Sequence, residues 1–439
     1  MMRRSAALLM LFFLAACSDV PAWMGGDPPE IKRVPGERYS VLAGETKLEA
    51  DEGAKRLPVD LPEAATNAIW LSANQAMDSA PPSLPETLER SDSATIGEGN
   101  DFTRGDAPAP LVAAGYVFAM DGAGFVSAHA QDDIDNRVWL SDAATESDEQ
   151  DLLGGGLAYD AGTLYVATGY GRLVALDAKT GAKRWRTNVG APVRGAPVAA
   201  GGMVVVLTAD NQTLAFTTEA GAPVWGHRGI RELAGFFSNT APVVKDDLVI
   251  AAYSSGQIVA LRLGTGDVIW SDSVGSPAKT SAASAFSGID ANPLVQDGVV
   301  YVVSAGGVMM ANALINGRPL WGQRIAAHET PWAAGNVLFL LSSDHELAAV
   351  FKRDGMVRWA QSLKQMDRTR DVTPTLYGPV LAGGRLLVAS AAGDLLQFSA
   401  TEGTPLATID IRSGAASAPV IAGGRLYLVT SDATLHTYR

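Results

Sequence analysis

The feature that most constrains this chain is internal repetition. A short apolar segment, a glycine-bearing turn and a second β-branched segment recur eight times. The copies read APLVAAGYVFAM (109–120), GLAYDAGTLYVAT (156–168), APVAAGGMVVVLT (196–208), APVVKDDLVIAAY (241–253), NPLVQDGVVYVVS (292–304), TPWAAGNVLFLLS (330–342), GPVLAGGRLLVAS (378–390) and APVIAGGRLYLVT (418–430). One such unit cannot bury its own apolar faces, so a repeated unit implies neighbours stacked into one body. A length of 439 residues would otherwise suggest several domains.

A third segment follows each pair, as in GRLVALDAKTG (171–181), GQIVALRLGTG (256–266) and GDLLQFSATEG (393–403). Period-two alternation and β-branched residues mark all three as strands, and no segment sustains a 3.6-residue period. A fourth carries tryptophan: Trp139, Trp185, Trp225, Trp270, Trp321 and Trp359, spaced 38 to 51 residues apart. The unit is therefore one four-stranded blade. Each large ring is expected to wedge between neighbouring blades. Pro110, Pro197, Pro242, Pro293, Pro331, Pro379 and Pro419 stand where a first strand opens, a position at which a missing N–H is tolerated.

The seventh copy has Ala407 in the tryptophan position, and the eighth supplies three strands before Arg439. Trp70, in AIWLSA ahead of the first copy, is the expected spare fourth strand. The fold class that follows is all-β: an eight-bladed β-propeller of four-stranded antiparallel blades, closed by an N-terminal strand that completes the last blade. Closure of this kind leaves no open sheet edge between first and last blades.

The N-terminus reads differently. Arg3 and Arg4 precede a short apolar run, Ala6 to Leu14, then Leu14-Ala15-Ala16-Cys17. This has the form of a lipoprotein signal peptide over residues 1–16, with Cys17 as the lipidation site. Cys17 is the one cysteine of the chain, so it has no internal disulfide partner. Several acyl chains on it would provide stable anchoring. Residues 17–60, rich in Pro, Gly, Glu and Lys, read as a flexible tether, and residues 61–439 as the propeller. The 71–108 segment, with Pro81-Pro82 and many small polar residues, carries no pattern that assigns it a structure. The net charge of −13, made more negative by removal of two leader arginines, argues against nucleic acid and anionic headgroups as partners.

Motifs for chemistry are sparse. His129, His227, His328, His345 and His436 are scattered singly, with none at zinc-site spacing. No nucleophile elbow or phosphate loop occurs. Asp290 and Asn292 share a loop, but two oxygen ligands do not make a calcium site. The expectation is a non-enzymatic protein with no cofactor and no metal.

The turn-and-tryptophan signature, as in LDAKTGAKRW (176–185) and LRLGTGDVIW (261–270), resembles PQQ-like propeller repeats. Together with the Cys17 motif and the eight copies, residues 60–439 resemble the BamB family, lipoproteins of the outer-membrane β-barrel assembly machinery (the BAM complex). That resemblance implies a scaffold on the periplasmic face of the outer membrane, lipid-anchored, binding the POTRA domains of BamA and assisting outer-membrane protein folding. Ser18, after Cys17, resembles the sorting signal for that membrane. Partner contacts in the family lie in middle loops. Val193 and Arg194 in PVRGAP (192–197) match an apolar and an arginine contact. In IRELAGFFSNTAPVV (230–244), Phe237 and Asn239 stand where the family commonly has two acids, and Phe236-Phe237 offers an apolar contact instead. PQQ-dependent dehydrogenases share the repeats. Their resemblance would imply a calcium site, a catalytic aspartate and often a vicinal cysteine pair, and this chain has no such pair. A small-ligand-binding propeller, using the central channel, is the remaining alternative.

Overall fold

The computed structural model describes residues 47–72, 80–102, 107–143, 154–231, 239–274, 288–364 and 374–439. Among them are thirty-two strands in eight four-stranded antiparallel sheets. In the first seven blades the strands run in sequence order. Blade 1 spans 111–142, blade 2 155–188, blade 3 198–228, blade 4 243–273, blade 5 294–323, blade 6 332–362 and blade 7 376–410. Blade 8 combines Val420–Ala422, Arg425–Thr430 and Thr434–Tyr438 with the distant strand Arg90–Thr95. The eight-bladed propeller and its closure from the N-terminal side are as expected.

The closing strand itself is a correction. Arg90–Thr95 pairs with Thr434–Tyr438, from Arg90 opposite Tyr438 to Thr95 opposite Thr434. Trp70 is elsewhere. Its N–H donates to Val112 O at 2.8 Å and its carbonyl accepts from Val112 N–H at 2.9 Å, against the innermost strand of blade 1. Its ring stacks on Trp332 of blade 6, centroids 5.7 Å apart. A buried aromatic therefore stands in the central channel, whereas the closing strand is a polar segment on the rim.

Residues 48–60, expected within the tether, make ordered contacts with blade 6. Leu48 N–H donates to the Glu346 carboxylate at 2.9 Å, Asp51 N–H to Val357 O at 2.9 Å, and Ala54 is fully buried. From there the arm crosses the face carrying the turns between first and second strands. It meets Asn336 of blade 6 through Asp60, Gly423 of blade 8 through Asn67, and Gly383 of blade 7 through Pro82. An arm laid over turns follows no regular period, so alternation could not reveal it.

The tryptophan repeat has a physical cause. In each of the first six blades the tryptophan lies opposite a small residue on the third strand: Ala128, Ala175, Ala215, Ala260, Ala311 and Ala349. The ring then leans across the seam onto a glycine of the next blade. A Cβ on Gly266, whose φ is +74°, would lie 2.7 Å from the Trp225 ring. Trp225 Nε1 donates to Leu263 O, three residues before that glycine, at 2.8 Å. The same bond joins Trp139 to Ala178, Trp185 to Thr218, Trp270 to Leu314 and Trp321 to Lys352. The wedge thus supplies apolar burial, and in these five seams its one polar atom is satisfied, whereas Trp359 Nε1, at the sixth, is buried without a hydrogen-bond partner.

Ala407 now has an explanation. Blade 8 takes its outer strand from the N-terminal side, so it has no third-to-fourth turn to receive a ring. Opposite Ala407 stands Gln397 rather than alanine. Six of the seven strand-opening prolines stand immediately before their strands. Pro379 lies within Leu376–Ala382, at a register irregularity between Tyr377 and Val380.

Candidate functional site

The first strand of every blade faces the ring axis, so residues just before these strands surround one end of the channel. A cavity of about 450 Å³ lies there, lined by all eight blades. Trp70, held against Trp332, closes it toward the arm-covered face. The other end opens among the loops that link each fourth strand to the next first strand.

Those loops are tied into a collar. Gly155 N–H donates to Arg194 O at 2.9 Å, joining blades 2 and 3. A Cβ on Gly195 would sit 2.3 Å from Asn239 O, so the loops ahead of blades 3 and 4 touch backbone to backbone. Thr240 Oγ1 donates to Asp290 O at 2.9 Å and Ala241 N–H to Asn292 Oδ1 at 2.6 Å, reaching the loop ahead of blade 5. Asn292 N–H donates to Thr330 Oγ1 at 3.1 Å, and His328 Nδ1 meets Asp290 Oδ2 at 3.2 Å, reaching the loop ahead of blade 6. Gly378 N–H donates to Glu329 Oε2 at 3.4 Å, extending it to blade 7. Each loop fixes the next, which gives a rigid frame to whatever the face presents.

Three of the expected contact residues fall on this collar. Val193 is 1% exposed and forms an antiparallel bridge with Thr208. Arg194 is 3% exposed; its N–H donates to Leu207 O at 2.9 Å, and its Nη2 lies 3.5 Å from Ile289 O. Both were expected as surface contacts. In the chain alone both are buried and hold neighbouring loops together. Asn239 is exposed at the mouth. Phe236, Phe237 and Cys17 lie outside the described residues. Asp290 and Asn292 are engaged in the collar, and among the described residues no group of three or more His, Cys, Asp or Glu could hold a metal ion.

Sequence reading missed His328, Glu329 and Thr330 as mouth residues. The available signal was position: all three stand just before the strand-opening Pro331, as Asn239 stands before Pro242.

Comparison with known proteins agrees with this architecture. The family model of the outer membrane protein assembly factor BamB matches residues 122–361 and 355–439. The BamB of Yersinia pestis is 26% identical over 328 residues, 73% of this chain and 81% of that protein. The crystal structure of BamB from Moraxella catarrhalis superposes with a TM-score of 0.68 at 20% identity, covering 80% of this chain and all of that one. A europium-containing methanol dehydrogenase reaches 0.67 at 14% identity, covering 83% and 89%. At such identities the two structures carry the fold alone. With eight blades, the tryptophan–glycine seams and a family match over most of its length, the chain belongs to the family of the outer membrane protein assembly factor BamB.

Proposed function

We propose that this protein is a non-enzymatic scaffold of outer-membrane β-barrel assembly, held at the periplasmic face of the outer membrane by lipid on Cys17. Its loop face binds the POTRA domains of BamA and keeps them oriented for incoming barrel proteins. Family membership supports the role. The observation that supports the surface is the hydrogen-bonded collar, because a partner gains most from loops that need no ordering on binding. Val193 and Arg194 act as positioning residues in this reading. Asn239, Ile230 and Arg231, all exposed and Ile230 to 59%, are described residues that offer side chains to a partner beside the 232–238 segment with Phe236 and Phe237. The dehydrogenase alternative has likeness of fold behind it, and among the described residues no group of three or more His, Cys, Asp or Glu that could hold its metal.

The test is a titration of the lipid-free chain with the soluble POTRA domains of BamA from the same organism. The expected result is a complex weakened tenfold or more by Ile230→Asp combined with Asn239→Arg, with unfolding temperature unchanged. An unaltered affinity would move the interface off these loops. No complex at high micromolar concentration would remove the scaffold reading.

A further inference from the structure

We propose that His436 makes the closure of the ring acid-labile: protonation of its imidazole releases the strand Arg90–Thr95 from blade 8. The inference does not rest on the scaffold reading. It starts from where this histidine stands. Leu428 pairs with His436 in blade 8 as Val166 pairs with Val174 in blade 2. Val174 belongs to the apolar cluster that includes Trp139 of blade 1, so the position faces the preceding blade. For blade 8 that preceding blade carries Ala407 in place of tryptophan. A titratable ring thus occupies a seam from which the apolar wedge is missing.

The ring is buried and unmatched. His436 is 6% exposed, and both its ring nitrogens are buried without a hydrogen-bond partner. A neutral imidazole bears this at modest cost. An imidazolium in the same place is a buried charge with donors and no acceptor, which costs far more. His129, the other buried histidine, is differently placed. Its Nδ1 lies 2.6 Å from Ile134 O and its Nε2 3.1 Å from Ser127 Oγ, so a proton on that ring finds acceptors. His227 and His345 are half-buried, and His328 is more than half exposed beside Asp290.

The charges around His436 come from several elements. Arg90 belongs to the closing strand, opposite Tyr438, and Arg412 to the loop that follows blade 7. Asp432 lies in the turn before the strand, where it accepts from Thr430 Oγ1 at 2.6 Å and Ser413 Oγ at 2.8 Å. Asp410, whose charge reaches Tyr438, accepts from Arg412 N–H at 2.7 Å. Tyr438 shares the face of His436, and its own hydroxyl is buried without a partner. Burial is the main cause that holds His436 below the usual histidine range; Arg90 adds to it, Asp432 opposes it and Arg412 adds again. The element that yields is the closing strand. None of its residues is fully buried, and its register is irregular between Arg90 and Asp92. Its departure makes Thr434–Tyr438 the edge of blade 8 and brings water to the imidazole. The released ring takes its proton near pH 6.5, the closed one only at lower pH. Closure is therefore undisturbed above that value, and opening gains up to about tenfold for each pH unit below it.

The experiment is hydrogen exchange of the full chain at pH 7.5 and 5.5, with protection corrected for the intrinsic pH dependence of exchange. The expected result is that Arg90–Thr95 and Thr434–Tyr438 lose at least fivefold in protection at the lower pH, relative to Arg172–Asp177 of blade 2. His436→Leu, apolar there as Val174 is in blade 2, should abolish the difference, and His436→Gln serves should the leucine variant fail to fold. An equal loss in both blades, no loss in blade 8, or a loss that persists in a folded variant would overturn the proposal. The outcome of the POTRA titration has no bearing on it.

Discussion

The seams between blades 1 to 7 and the two seams beside blade 8 solve the same packing problem with different materials. The first group uses a tryptophan, a small residue opposite it and a glycine across the seam. The second uses hydrogen bonds to buried polar side chains. Between blades 8 and 1, Asp121 is fully buried and accepts from Glu98, Asn100, Ala123 and Phe125 N–H groups and from the Asn100 amide. Arg137 donates to Gly97 O, and Arg425 to the Gln131 and Asp132 carbonyls. On the other side, Arg385 Nε donates to Gln397 Oε1 within blade 7 at 2.6 Å, and its Nη2 bonds Pro85 O in the part of the arm that leads into the closing strand of blade 8. Consecutive blades meet in any case, so an undirected apolar wedge suffices. The closing seam must select one distant segment, and directional bonds discriminate register better than apolar area does.

The largest effect that would break this comparison belongs to Asp121. Asp121→Ala strands several buried donors and is expected to lower stability by about 4 kcal/mol. Hydrogen exchange should show protection lost first in Arg90–Thr95 and Thr434–Tyr438. Uniform loss around the ring would mean that the closing seam is no separate unit. Gly266→Ala comes next, at about 3 kcal/mol. It combines left-handed backbone strain with a Cβ pressed against the Trp225 ring. A urea midpoint unchanged from wild type would sink the wedge account. Arg385→Met should cost about 2 kcal/mol by leaving Gln397 and Pro85 O without their donor; thermal unfolding reads it directly.

The smallest effect is in pH. Burial lowers the pKa values of His129 in blade 1 and His436 in blade 8, and of His227 beside Tyr253 of blade 4. Around His436, Arg90 and Arg412 lower it further and Asp432 opposes them. Around His129, the Ile134 carbonyl and Asp135 oppose burial, and Arg137 adds to it. The unfolded chain, with histidines near pH 6.5, then binds more protons than the folded one. Stability is expected to be unaffected well above that pH and to fall as pH drops below it. A urea midpoint that stayed flat from pH 7.5 to 5.5 would contradict this, and His436→Leu should flatten part of the slope.

What could be read from the chain beforehand divides along the same line. The eight copies, the tryptophans and the prolines repeat locally, so alternation and spacing revealed the blades. Arg90–Thr95 has the sequence RSDSAT and sits on the rim with no fully buried residue, so it carries no apolar signature. Trp70 drew the assignment because it matched the repeat's most visible residue, yet its partner is the channel. The collar was illegible for another reason. Whether Arg194 meets solvent depends on Asn239 and Ile289, which no local pattern connects to it.

The arrangement of blade 8 also sets a timetable. Ser91 and Thr437, hydrogen-bonded side chain to side chain at 2.8 Å, lie 346 residues apart in the chain. The outer strand of this blade is thus made early, and its only partner strand emerges after seven whole blades. Pairings of such long range are slow to form. During the wait, an exposed strand could recruit the wrong edge and aggregate. Arginine, aspartate and two serines make it a poor template for that, so the weak signature that hid the strand from sequence reading keeps the unfinished protein out of trouble.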